Sequence, residues 1–472
     1  MRLDHLLDAS SGRPGVGPFE VSGAPTGVDV TSIVHDSKAV EPGSLFACVP
    51  GGRFDGHRFA AAAVDAGAVA LLAEKPVTAD VPVVRVASVR RALGPVASAL
   101  YGDPSRHLDV VGVTGTNGKT TTVELLRSIL EAAGRPCGVI GTLTGARTTP
   151  EAPELQALLA SFVAKGHRAV AMEVSSHALV QERVAGTRFR VAVFTNLSQD
   201  HLDFHGTVET YFSAKARLFE PDLADTAVVN LDDPRGRLLR HAALVPTTGY
   251  ALSDVDDLRL DPTGSSFRWR DREWRVGLAG RFNVENALAA ATAAIELGID
   301  DEVIDRGLRA AGPVPGRFEL VDAGQPFAVV VDYAHTPDGL EQVLAAAREV
   351  TRCRVVVVFG AGGDRDRDKR PRMGAAAAAG ADHLVLTNDN PRSEDPMTII
   401  DAVRSGIPPT AELTIEPDRR AAIATALAMA GPGDLVMIAG KGHEDTQVVG
   451  DSVTPFDDRR VAREIIAAGG VG

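Results

Sequence analysis

The stretch "VVGVTGTNGKTTTVELL", Val110–Leu126, decides how this chain is read. Small apolar residues run into a glycine-rich turn, then a lysine, then three threonines, then a helical pattern. "DVVGV" predicts a short buried strand. Beyond Lys119, the residues Val123, Leu126, Ile129, Leu130 and Ala133 share one helical stripe, and Gly134 supplies a stop. The loop therefore joins a strand to a helix N-terminus, where free backbone N–H groups and the helix dipole attract anions. Gly115, Thr116, Asn117, Gly118 and Thr121 belong to this cradle. Lys119 would reach the terminal phosphates of a nucleotide, and the Thr120 hydroxyl would coordinate Mg²⁺. One departure stands out: the standard phosphate loop has glycine six positions before its lysine, and here that position is Val113.

The rest of the chain bounds the function. With 472 residues it is too long for one ordinary core, so two to four domains are expected. The net charge of −13 argues against general nucleic-acid binding. Cys48, Cys137 and Cys353 lie far apart and form no metal or disulfide pattern, which suits a reducing cytoplasm. "MRLDHLLDAS" lacks a long apolar core, so no signal peptide is expected, and no uncharged apolar run is long enough for membrane insertion.

"YGDPSRH", around residues 101–107, reads as a linker, and "AAGPVPGR", near 310–317, as a hinge. Past the hinge, "FAVVVDY", "RVVVVFG", "HLVLTN" and "DLVMIA" alternate with helical segments, the pattern of a parallel α/β sheet. Polar residues follow these strands at Asp332, Gly360–Arg365, Asp389–Arg392 and Lys441–Glu444. Ligands of open α/β sheets bind beyond the C-terminal strand ends, so this region predicts a second binding platform.

Chemistry-bearing residues also gather between the two platforms. Glu173 ends the strand "AMEV", and "NLSQDHLDFHG" places Asp200, His201, Asp203 and His205 in one loop. A carboxylate and an imidazole beside a phosphate loop can hold a divalent cation, for which His201 is the favoured histidine, whereas His177 and His205 are read as structural. Lys215 lies in "VETYFSAKARLFE", a predicted helix, and shares its face with Tyr211, Phe212, Leu218 and Phe219. Desolvation there would favour a neutral amine able to take up CO₂ as a carbamate. From these residues alone, a snorkelling surface lysine is the preferred reading.

Taken together and in order, "DSKAVEPGSLFACVPG", "GVTGTNGKTT", "TTPEAPELQ", "MEVSSHALVQERV", "FTNLSQDHLDFHG", "YFSAKARLF", "GRFNVENALAA", "PGRFE", "VDYAHTPD", "FGAGGDRDRDKRP", "DNPRSEDP" and "AGKGHE" resemble the ATP-dependent Mur ligases of peptidoglycan synthesis over almost the whole chain. The form "GTNGKTT" is the one that family uses. The resemblance implies an α/β protein of three domains: a small UDP-sugar-binding α/β domain over 1–105, a central P-loop-type parallel-sheet ATP-binding domain over 106–312, and a Rossmann-like amino-acid-binding domain over 313–472. It implies ATP and two Mg²⁺ sites, with Thr120, Glu173, His201 and a carbamylated Lys215 as metal ligands. Asn286, Arg317, Asp332 and His335 fall in motifs that contact ATP or close the third domain onto it. Ser37, Thr148, Thr149, Ser175, Gln181 and Arg183 match positions that hold the UDP-sugar peptide.

The same resemblance implies which amino acid is added. "DNPR", at Asp389, Asn390, Pro391 and Arg392, is the form of the motif associated with meso-diaminopimelate, whose extra carboxylate an arginine can clamp with two charge-assisted hydrogen bonds. Arg365, Gly440 and Glu444 are implied as further contacts, with Glu444 set for the ammonium group. The implied partners are UDP-N-acetylmuramoyl-L-alanyl-D-glutamate and meso-diaminopimelate, and the expected enzyme is a cytoplasmic monomer of cell-wall precursor synthesis. The expected chemistry forms an acyl phosphate on the D-glutamate carboxylate, which the incoming amine then attacks. Arg147 and Thr446 depart from the family pattern beside the two substrate segments. A nucleotide-binding regulator without turnover would not need Lys119, Glu173, His201 and Lys215 together.

Overall fold

The computed structural model describes residues 1–469 apart from Arg53 and Pro262. Three sheets follow one another along the chain. The first has strands β1 (Glu20–Ser22), β2 (Ser32–Val34), β3 (Ser44–Ala47), β4 (Ala70–Ala73) and β5 (Val83–Arg85), in the order β1-β5-β4-β3-β2. Only the edge pair β1–β5 is antiparallel.

The second sheet carries the phosphate loop. Its strands are β6 (Asp109–Thr114), β7 (Cys137–Ile140), β8 (Ala169–Glu173), β9 (Phe189–Phe194), β10 (Ala224–Asn230) and β11 (Thr247–Tyr250), all parallel, in the order β11-β10-β9-β6-β8-β7. A fully parallel sheet must be covered on both faces. Here one core includes Val111, Val113, Leu126 and Ile129, and the opposite one includes Val110, Met172, Phe189 and Phe194. The apolar stripe after Lys119 forms the helix Lys119–Ala132, and Gly134 follows at φ +69°. A separate three-stranded antiparallel sheet of β12 (Asp256–Asp261), β13 (Gly264–Trp269) and β14 (Arg272–Val276) precedes the helix Arg281–Glu296.

The third sheet holds β15 (Glu319–Leu320), β16 (Ala328–Asp332), β17 (Val355–Phe359), β18 (His383–Leu386), β19 (Leu413–Ile415) and β20 (Leu435–Ala439), in the order β15-β16-β20-β17-β18-β19. The central apolar runs, β17 and β20, are buried throughout, as the sequence pattern requires, and only β15 pairs antiparallel. A hairpin of β21 (Thr446–Val449) and β22 (Ser452–Pro455) follows β20.

The first two domains meet at a close backbone contact. In the helix Val89–Leu100, a β-carbon at Gly94 would collide with the Ala185 carbonyl, while one at Gly186 would stand 2.7 Å from the Gly94 carbonyl carbon. Two glycines thus let the helix lie on the loop. Gly94→Ala should cost roughly 1–3 kcal/mol through overpacking, seen as a lowered midpoint in calorimetry; an unchanged midpoint would refute the contact.

Candidate active site

The phosphate loop lies at the C-terminal end of β6, where the sheet's strand order turns outward on both sides, the position at which open α/β sheets bind ligands. Gly118 has φ +85°, and a β-carbon there would strike the side-chain oxygen of Asn286. That oxygen accepts from the Thr122 hydroxyl at 3.4 Å, and the Asn286 amide donates to Asn283 at 3.2 Å. Asn286 is therefore seated against the loop by the glycine that the motif supplies. Lys119 folds back, donating to the carbonyls of Gly115 and Thr116 at 2.9 and 2.8 Å. Its surroundings pull its pKa down by desolvation, against the pull of Glu173.

Glu173 is buried and forms no ion pair among the described residues. It accepts from the Thr120 hydroxyl at 3.0 Å and the Thr142 backbone N–H at 2.9 Å. Its charge acts on Lys119 without a direct ion pair, and a buried carboxylate so placed suits a metal ligand. Lys215, in the helix Val208–Ala216, is 1 % exposed, which corrects the snorkelling reading. Its amine donates to the Gly115 carbonyl at 2.7 Å and lies 4.6 Å from the Tyr211 ring centre. Burial, then repulsion from Lys119, drives its pKa well down. Both effects act toward the neutral amine that a carbamate requires. His201 projects into the cleft with φ +54° and 46 % of its side chain exposed. Desolvation by the cleft walls takes its pKa to about 4, so the ring is neutral and able to ligate at pH 7. No three His, Cys, Asp or Glu side chains form a ready-made metal cluster among the described residues. The four residues expected as ligands, Thr120, Glu173, His201 and Lys215, line one cavity.

The expected sugar-peptide residues largely meet. The Thr149 hydroxyl donates to the Glu173 carbonyl at 2.9 Å and accepts from the Ser175 N–H at 3.1 Å. Arg183 donates to the Thr149 carbonyl at 3.2 Å and the Gln181 side chain at 2.6 Å, and pairs with Glu151 at 2.9 Å. Thr148 touches Thr142 at 3.1 Å. Ser37 stands apart, in a short 3₁₀ turn of the first domain, outside this hydrogen-bonded cluster. Arg147, one of the departures, is exposed and lies 3.8 Å from Glu154.

The third domain closes over the loop. Arg317 donates to the Thr120 hydroxyl at 3.1 Å and lies 4.6 Å over the Tyr333 ring. Asp332 caps β16 and accepts from Phe318 and Ala334 N–H groups at 2.7 and 2.8 Å; burial raises its pKa to about 6 despite Arg317. His335 accepts Lys369 at its carbonyl, 3.0 Å away. Between the domains is a cavity of about 400 Å³, where Thr120, Glu173, His201 and Lys215 face Arg317, Asp332 and His335. A larger cleft of about 990 Å³, lined by Asp109, Arg168, Arg190 and Asp225, opens at the opposite ends of the central strands and holds none of the expected residues.

The second platform is one network. Asn390 donates to Glu444 at 2.7 Å and accepts from Lys441 at 3.1 Å and Val448 N–H at 3.0 Å. Arg392 donates to the Gly363 carbonyl at 2.7 Å, beside Gly362, which also neighbours Arg365. Arg365 itself is exposed. A β-carbon at Gly440 would stand 3.0 Å from an Asp389 carboxylate oxygen, and Thr446 offers its carbonyl to Lys441 at 2.6 Å. Sequence reasoning did not single out Lys369, Tyr333 or the buried Tyr211, whose hydroxyl meets Thr116 at 3.2 Å. Tyr211 carried a signal in its helical spacing to Lys215.

Comparison with known proteins gives one answer along the chain. The family model for the Mur ligase middle domain matches residues 113–294, that for the Mur ligase glutamate ligase domain 316–442, and that for the Mur ligase family catalytic domain 29–101. UDP-N-acetylmuramoyl-L-alanyl-D-glutamate–2,6-diaminopimelate ligase of Syntrophomonas wolfei is 45 % identical, over 95 % of this chain and 97 % of that one. The ligase of the same name from Gloeobacter violaceus is 47 % identical, over 93 % and 94 %. A solved structure of a ligase with that name is 34 % identical over 94 % of this chain and 96 % of its own, with a TM-score of 0.67. MurF ligase from Thermotoga maritima in complex with ADP, 22 % identical over 93 % and 96 %, shares the fold with a TM-score of 0.65.

Arg317 is the one arginine that reaches the phosphate loop from the third domain in these contacts. Arg317→Ala should weaken ATP binding by about 10- to 100-fold, the equivalent of one or two charge-assisted hydrogen bonds. Calorimetric titration with a non-hydrolysable ATP analogue checks this, and unchanged affinity would remove Arg317 from the nucleotide site.

Proposed function

The chain belongs to the Mur ligase family, an ATP-dependent ligase family, and we propose that it joins meso-2,6-diaminopimelate to the D-glutamate carboxylate of UDP-N-acetylmuramoyl-L-alanyl-D-glutamate. The observation that carries this reading is the full-length likeness to ligases of that name, at 45 % identity over 95 % of the chain. The "DNPR" segment within the second platform supports the choice of amino acid.

A carboxylate is a poor acyl donor because its leaving group would be oxide. Transfer of the γ-phosphoryl group to the D-glutamate carboxylate gives ADP and an acyl phosphate. The diaminopimelate amine attacks the acyl carbon, phosphate departs, and the amine loses a proton as the amide forms. The first step brings two anions together. Lys119 and Arg317 supply positive charge at the loop, where a low-dielectric setting strengthens their effect. Mg²⁺, held by Thr120, Glu173, His201 and a carbamate on Lys215, would screen the same encounter. Thr149, Ser175, Gln181 and Arg183 orient the sugar peptide. Arg392 and Arg365 take the distal carboxylate of diaminopimelate, and Glu444 its ammonium group. Closure of the third domain over Thr120 keeps water from the acyl phosphate.

One copy of the chain contains every residue in this scheme, so we treat the enzyme as a monomer. Three free cysteines fit a cytoplasmic setting. No helix among the described residues is long and apolar enough to cross a membrane.

Purified protein with ATP, Mg²⁺ and UDP-N-acetylmuramoyl-L-alanyl-D-glutamate should release phosphate with diaminopimelate and not with L-lysine; turnover with lysine would overturn the assignment. Arg392→Ala should raise the KM for diaminopimelate by about 10- to 100-fold through loss of charged hydrogen bonds, with the KM for ATP unchanged in steady-state assays. Lys215→Ala should lower kcat, and short carboxylates such as formate should restore part of it. Full activity without rescue would eliminate the carbamate.

A further inference from the structure

Arg419 and Asp458 open the helices Arg419–Met429 and Asp458–Ala467, and both side chains have 0 % exposure. The guanidinium donates to the two Asp458 carboxylate oxygens at 2.8 and 2.7 Å. A buried ion pair of this kind is by itself a weak stabiliser, because desolvation offsets the attraction. Two of the three remaining guanidinium N–H groups go to carbonyls: Asn388 at 3.2 Å and Ala439 at 3.0 Å.

Those carbonyls are informative. Asn388 directly precedes Asp389, and Ala439 directly precedes Gly440. One planar guanidinium therefore ties together the starts of the two segments that form the second platform. Gly440 adopts φ +116°, and a β-carbon there would lie 3.0 Å from an Asp389 carboxylate oxygen and 3.9 Å from Arg419. The other Asp389 oxygen is buried without a hydrogen-bond partner. The segments are thus held at a fixed spacing, with an acceptor left over between them. Lysine in place of Arg419 would lack the fork that reaches both carbonyls and the carboxylate together.

We propose that the Arg419–Asp458 pair is a positioning device for the amino-acid site: Asp458 orients the guanidinium, and the guanidinium sets the separation of Asp389–Arg392 from Gly440–Glu444. This rests on the reading of that site as the one for diaminopimelate. Asp458→Asn, which keeps the side-chain shape, and Arg419→Lys should each raise the KM for diaminopimelate by about tenfold or more, since displacement of binding groups by an ångström or so has effects of that order. The KM values for ATP and the UDP-sugar peptide should stay at the wild-type level. The rise in melting temperature on adding diaminopimelate should shrink in parallel. A purely structural role would lower stability and leave the three KM values in their original ratio, and that result in either soluble variant would overturn the proposal. Insolubility of both would make the pair a support of the domain as a whole, which also overturns it. Wild-type enzyme run alongside separates the two levels: no turnover with diaminopimelate strikes the function, whereas normal wild-type turnover with unshifted variants strikes the positioning role alone.

Discussion

The hydroxyl of Thr120 is where this molecule closes. It gives its proton to Glu173 at 3.0 Å and takes one from Arg317 at 3.1 Å. The first contact lies within the central domain and the second reaches it from the third. A hydroxyl can donate once and still accept, so this one atom satisfies both partners. Everything else around the cavity depends on that junction. Arg317 is further fixed by Tyr333, against which the His335 ring lies edge-on at 4.6 Å and the His443 ring tilted at 5.0 Å. Gly316, just before it, leaves no room for a β-carbon against Gly442 and His443. The Pro/Gly segment that reads as a hinge is therefore packed against the loop that carries Gly442 and His443.

The cavity resolves an apparent conflict between overall charge and local task. The chain carries −13 and yet must accept a triphosphate and a carboxylate. It does so by setting Lys119 and Arg317 into the cavity wall. Lys119, Lys215 and Lys369 all have lowered pKa values, and in each the leading cause is desolvation. Placing Lys215 near Lys119 pushes its amine further toward neutrality. A second fixed ammonium would compete with a metal for the same space. A neutral amine that becomes an anionic carbamate would instead attract it. The burial that is costly for a lysine is then what makes it suitable here.

Much of this was legible in the sequence, though unevenly. Strand, loop and helix around Lys119 follow from short-range pattern, and so do the apolar strands of the third sheet. Those signals depend on spacing within a few residues. The state of Lys215 does not. Its helical neighbours Tyr211, Leu218 and Phe219 were on one face, but the contact that buries its amine is with Gly115, a hundred positions earlier. An apolar face beside a lysine fits snorkelling and burial equally until that partner is known. Ser37 lies in the first domain, apart from Thr149 and Arg183, within the span 1–105 that the resemblance gives to UDP-sugar binding. Lys369 escaped notice because its importance lies in a tertiary neighbour, the His335 carbonyl.

The specificity segment carries this point furthest. "DNPR" reads as four consecutive residues, but the position of Arg392 is set from elsewhere. Its backbone adopts φ +53°, a left-handed conformation that costs a non-glycine residue of order 1–3 kcal/mol unless its surroundings impose it. The hairpin β21–β22 imposes it: Arg392 N–H donates to the Val448 carbonyl at 3.1 Å, and Gly450 N–H donates to the Arg392 carbonyl at 2.7 Å. Meanwhile Asn390 takes the Val448 N–H, so the hairpin grips the segment at two points. With its backbone pinned and one guanidinium nitrogen already on Gly363, the side chain has few rotamers left to lose. In the proposed reaction, a clamp ordered in advance spends less of its binding energy on ordering, and more of it on distinguishing a substrate with a second carboxylate from one without. Specificity then resides less in the presence of an arginine than in the hairpin, some fifty residues later in the chain, that holds it still.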